Sequence, residues 1–104
     1  MHARLVEIDG LEPSRREEAM ALIREQVIPA MKEADGWSGF ISLVDEETRR
    51  VRNLVLWETR ESAEEFDREW ASRRDEMVRG LGGTIRSADL YDVPVVEMPS
   101  GARV

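Results

Sequence analysis

Two neighbouring stretches of the chain carry apolar side chains in strand-like alternation, yet neither leaves a polar face. In Trp37-Ser38-Gly39-Phe40-Ile41-Ser42-Leu43-Val44, a period of two points Trp37, Ile41 and Leu43 one way and Phe40 and Val44 the other. In Asn53-Leu54-Val55-Leu56-Trp57, Val55 and Trp57 oppose Leu54 and Leu56. The polar run Asp45-Glu46-Glu47-Thr48-Arg49-Arg50 separates the two stretches, so residues 37 to 57 predict a hairpin that is oily on both sides.

The remaining elements follow from turn and cap signals. Residues 2 to 8 contain Val6 and Ile8 and stop at Asp9-Gly10, which predicts a first strand. Ser14 with Glu17 three residues later has the form of a capping box, and Met20, Ile23, Val27, Met31 and Ala34 recur at helical spacing. Pro29 interrupts that series and removes a backbone donor, so the first helix is expected to kink or restart near Val27 before ending at Asp35-Gly36. Thr59, or Ser62 with Glu65, can cap a second helix that carries Ala63, Phe66, Trp70, Met77 and Leu81 toward a core. Gly80, Gly82 and Gly83 end it, and residues 84 to 93 form a last strand. The order strand, helix, strand, strand, helix, strand is the split βαβ arrangement. It predicts an α+β, ferredoxin-like fold, a four-stranded antiparallel sheet with two helices on one face.

Helices on one face leave the other apolar face of the hairpin uncovered. Exposing several such side chains forfeits roughly 1.5 to 3 kcal/mol each, so the sheet of a second subunit is expected to cover them in a twofold homodimer. At 104 residues the chain fits one domain, drawn here at residues 1 to 97, with a loose tail over 98 to 104.

Composition narrows the function classes. A formal net charge of -7 repels phosphate backbones, so nucleic acid is not an expected partner. No apolar run reaches the length of a membrane span and no leader pattern opens the chain, from which a cytoplasmic protein with no membrane partner is expected. With no cysteine and one histidine, neither thiolate chemistry nor a standard zinc or haem site is expected.

With that element order, the chain resembles the antibiotic biosynthesis monooxygenase domain family of the dimeric α+β barrel superfamily over roughly residues 2 to 95. The resemblance is carried by Pro29, Gly36-Trp37-Ser38-Gly39-Phe40, Leu56-Trp57-Glu58-Thr59 leading into an Ala63-containing helix, and Tyr91-Asp92-Val93. It implies a small-molecule cavity between sheet and helices, and a cofactor-free oxidation of a flat aromatic or quinol by dioxygen. Asn53 and Trp57 match the family's asparagine and tryptophan, four residues apart on the third strand. An ungapped count places Ala63 and Met77 near the family's helix tyrosine and arginine, and Arg73, Arg74 or Tyr91 are the available substitutes. Haem-degrading relatives place a histidine on the second helix, where this chain has none.

The resemblance makes Asn53 and Trp57 the candidate catalytic pair, with donors for an oxygen that becomes anionic, and positions four apart on a strand share a face, so one cavity could receive both. The competing account makes Asn53 a strand amide bonded to a loop or to water, and Trp57 a core residue under a helix. Trp37, Trp70, Tyr91 and Arg73 are the candidate substrate-binding residues, and the tryptophans read equally as plain core. His2 is a candidate general base on a strand that starts at the second residue of the sequence. Arg4, Arg52 and Arg86 are strand cations that either reach a ligand carboxylate or phenolate or pair with Glu7, Glu58 or Asp89. A non-catalytic binding protein using the same cavity is the alternative reading, and fold alone does not separate the two.

Overall fold

The computed structural model describes residues 1 to 99. Four strands, β1 (His2–Asp9), β2 (Trp37–Asp45), β3 (Arg50–Trp57) and β4 (Thr84–Asp92), form one antiparallel sheet in the order β2-β3-β1-β4. Two helical arms connect them on one side, which is the ferredoxin-like arrangement expected from the element order. Of the expected tail over 98 to 104, residues 100 to 104 lie outside the described residues.

The first arm begins with a 3-10 turn, Pro13–Arg15, and runs on as α1 (Arg16–Leu22), a π-helical turn (Ile23–Val27) and α2 (Ile28–Glu33). The expected Ser14–Glu17 capping box does not form. Pro13, with φ fixed near the helical value, starts the turn, so Ser14 lies inside the 3-10 segment and no side chain caps α1. The arm does restart near Val27 as expected, the π-helical turn ending there and α2 beginning at Ile28. The N–H of Ile28 reaches back five residues to Ile23 O, so the missing donor of Pro29 is absorbed by a wide turn just upstream.

The second arm, α3 (Arg60–Gly80), is capped as expected by Thr59, whose side chain accepts from Ser62 N. It closes through bonds from Gly82 N to Arg79 O and Gly83 N to Val78 O, with Gly82 at φ 83°, the left-handed position that glycine adopts without penalty.

Register fixes which side chains meet the helices. Arg4, Val6 and Ile8 of β1, Phe40, Ser42 and Val44 of β2, Val51, Asn53, Val55 and Trp57 of β3, and Ala88 and Leu90 of β4 share the helix side. There the buried residues fall into two clusters. One gathers Val6, Ile8, Val51 and Val78, the other Met31, Val55, Trp57 and Ala63. The alternation predicted for β2 fails at one point: a register shift between Trp37 and Gly39 pairs Trp37 with Trp57 and packs it against the second cluster. Trp37 therefore leaves the side of Ile41 and Leu43.

Those two residues, with Leu5, Leu54, Leu56 and Tyr91, line the opposite side of the sheet, which neither arm covers. Leu43 is 55% and Tyr91 50% exposed, so an apolar surface remains open to solvent in the single chain.

Candidate functional site

Sheet and arms do not close completely on one another. A cavity of about 150 Å³ lies between them. Its sheet wall is Val6, Val55, Phe40 and their neighbours, and its helix wall includes Ile23, Val27 and Met31 of the first arm and Phe66, Trp70 and Met77 of α3. Exposed charged residues mark one end, where ion pairs Arg16–Glu46 and Arg49–Glu12 (3.6 Å) tie the start of the first arm to the β2–β3 turn. The wall is overwhelmingly apolar, the usual character of a small-molecule site, and its few polar groups can be taken one by one.

Asn53 and Trp57 both face this cavity, as their spacing requires. Trp57 is almost wholly buried, its ring 5.1 Å from that of Phe66, which in turn stacks 5.7 Å from Trp70. This aromatic row contributes both packing and a flat contact surface. Asn53 is only half-buried. Ser42, directly opposite on β2, donates its hydroxyl to Asn53 Oδ1 at 2.6 Å. With the oxygen engaged, the amide NH₂ is left as a donor with no partner among the described residues.

The other sequence candidates divide. Trp70 lines the cavity. Trp37 packs behind it on the second core cluster with a buried indole N–H that has no partner among the described residues. Arg73 lies outside the lining, its guanidinium 4.7 Å from the Trp70 ring centroid and bonded to Gln26 at 3.4 Å. Tyr91 stands on the open side of the sheet, because β4 alternates and Leu90 takes the inward position. His2 Nε2 is 2.8 Å from Asp92 at the end of the sheet and does not line the cavity.

A further polar group of the lining joins Arg4 and Arg74, both among the sequence candidates, to Asp67, which is not. Arg74 Nη1 donates to Asp67 Oδ1 at 2.6 Å, Arg4 Nε lies 3.8 Å from the same oxygen, and Arg4 Nη1 donates to Ala88 O at 2.8 Å. A signal was present in the sequence. Asp67 and Arg74 are seven apart and fall on the same stripe of α3 as Ala63, Trp70 and Met77, where charges are out of place.

On the open side of the sheet a second polar group gathers Glu7, Asp9, Arg50, Arg52 and Arg86. Arg52 pairs with Glu7 as expected, Nε to Oε1 at 2.9 Å, and the Ser87 hydroxyl donates to Oε2 at 3.0 Å. These bonds, Arg52 first, hold the Glu7 carboxyl below its ordinary range. Arg86 pairs with Asp9 at 3.0 Å instead of Asp89.

No protein-family model and no curated protein matches the sequence. Solved structures do match in fold. A monooxygenase of Streptomyces coelicolor, ActVA-Orf6, in complex with nanaomycin D superposes with a TM-score of 0.72 at 15% identity, covering 95% of this chain and 92% of that one. A dimeric ferredoxin-like protein from an uncultured marine organism gives 0.66 at 13% identity over 94% and 98%. An MhuD variant with two manganese protoporphyrin IX molecules bound per active site gives 0.64 at 17% identity over 97% and 100%. The chain thus shares the fold used by antibiotic biosynthesis monooxygenase-type proteins over nearly its whole length.

Proposed function

We propose that this chain forms a homodimer whose cavity binds a small flat aromatic molecule and oxidises it with dioxygen. The observation that carries the reading is the placement of Asn53 and Trp57 on one wall of an apolar cavity, with the asparagine oxygen engaged by Ser42 and its N–H groups left to donate. Similarity in fold to a monooxygenase solved with nanaomycin D supports it.

The chemistry suits a naphthol with a free para position. Asn53 N–H stabilises the phenolate oxygen, which raises electron density at the para carbon. That carbon gives up electrons to dioxygen and forms a C–O bond. Loss of the ring proton and cleavage of O–O then leave a quinone, one oxygen atom entering the ring as a carbonyl and the other departing as water. The apolar walls keep water away from the anion, where each donor contributes a few kcal/mol (about 3 to 4).

The open side of the sheet supports the dimer. Leu5, Ile41, Leu54 and Leu56 are half-buried there beside exposed Leu43, and a second sheet packed on them removes all five from water.

Incubation with a panel of naphthols and hydroquinones, with and without dioxygen, tests the activity. Oxygen-dependent quinone formation that is lost in Asn53→Ala supports it, and no turnover of any member with dioxygen present overturns it. The second reading, sequestration of an aromatic metabolite without turnover, is favoured by Ala63 and Met77, which stand near the positions where the resemblance implies a tyrosine and an arginine. Saturable binding in calorimetry without product would select it.

A further inference from the structure

We infer that the ligand of this cavity carries a carboxylate, held by Arg4 and Arg74. The inference rests on the cavity being a ligand site, as proposed above, and adds a substrate class to it. Two guanidinium groups with side chains only 14% and 17% exposed share one carboxylate, Asp67. Both converge on a single oxygen, Oδ1, and the Nε–H of each is shut off from solvent with no hydrogen-bond acceptor among the described residues. Arginine stays protonated, so this corner of an apolar cavity holds one positive charge more than it holds negative.

Such a deficit is costly in a core and useful in a site. Buried charges are normally paired and their donors satisfied. Here Nη1 of each arginine is engaged and each Nε is closed to a water-sized atom, so the Nη2 ends, which make no hydrogen bond among the described residues, are what a ligand carboxylate would meet, one bond from each. Position fits as well. Arg4 is opposite Val55, hence diagonal to both Asn53 and Trp57 across the β1–β3 pair, and diagonal neighbours lie about 7 to 8 Å apart. That span matches a two-ring aromatic acid with a ring oxygen at Asn53 and its carboxylate at Arg4 and Arg74.

The test compares 5-hydroxy-1-naphthoic acid, whose hydroxyl and carboxyl groups stand on different rings, with its methyl ester by titration calorimetry on the full chain at neutral pH. A charge-assisted contact predicts that the acid binds roughly 10- to 100-fold more tightly than the ester. Arg74→Met and Arg4→Met are expected to erase most of that ratio while leaving ester affinity within a few-fold. Asp67→Asn works in the opposite direction: it leaves both arginines unopposed and is expected to raise the acid-to-ester ratio, an outcome no misfolded variant can imitate. Equal affinity of acid and ester overturns the carboxylate anchor and leaves the cavity reading standing. Binding of neither overturns both.

Discussion

Ser42 and Asn53 are directly opposed on β2 and β3, and the serine hydroxyl donates to the amide oxygen at 2.6 Å. The bond ties down the oxygen end of Asn53 and leaves its two N–H groups without a partner among the described residues, free to donate to a ligand. Ser42→Ala is expected to cost about 0.5 to 1.5 kcal/mol of stability in urea denaturation. It should also reduce turnover by roughly tenfold, less than Asn53→Ala at 10²- to 10³-fold, since the alanine at 42 frees the amide to rotate and the alanine at 53 removes the donor. Equal activity of Ser42→Ala and wild type would separate Asn53 orientation from the chemistry.

Gly36 is a position where the backbone leaves no alternative. Its φ is 80°, and a Cβ there would lie 2.6 Å from Ser62 Oγ and 3.0 Å from Ser62 Cβ. Gly36→Ala combines a left-handed backbone with a clash and is expected to destabilise the fold by about 2 to 4 kcal/mol. In a Ser62→Ala background the hydroxyl contact disappears and the backbone cost stays, so thermal denaturation should show partial recovery only.

Glu7 links stability to acid pH. Arg52 and Ser87 bond its charged form in the folded chain, so its folded pKa lies below the ordinary value of 4.5. The stabilisation is fully present above that value. As pH falls, the unfolded chain takes up the proton first, and the advantage erodes until the folded carboxyl is protonated too. Denaturation midpoints of wild type and Glu7→Gln should therefore differ by a constant amount near neutrality and converge below 4.5.

The uncovered side of the sheet bears on assembly. Leu56→Glu places a charge among Leu5, Leu54 and Ile41, where it costs little in a single chain and much between two apolar sheets. Sedimentation equilibrium should find wild type at twice the chain mass and the variant at once the chain mass, with far-ultraviolet dichroism unchanged. A wild type that sediments as single chains at micromolar concentration would remove the dimer.

Periodicity made most of this architecture legible. The paired strands of residues 37 to 57, the Thr59 cap and the glycine stop of α3 are local signals, and each operates locally in the structure. Asn53 and Trp57 share a wall because they are four apart on a strand, which needs no tertiary information. What local reasoning missed depends on one-residue offsets. A single bulge moves Trp37 across the sheet, the alternation of β4 sends Leu90 inward and Tyr91 outward, and one residue decides that Arg74 lines the cavity while Arg73 covers Trp70 from outside. Arg4 finds Asp67 across the sheet–helix gap, a partner 63 positions away that no strand or helix period encodes.

The bulge at Trp37 also arranges the chromophores. It brings the last of the three indoles to the helix side, with Trp57 and Trp70, and leaves the single phenol of Tyr91 on the bare side of the sheet. Emission excited at the red edge of the absorption band thus reports on the compartment beneath the helices, while the phenol alone faces the surface where two copies would meet. One sample can in this way distinguish filling of the interior from meeting of subunits, without a label.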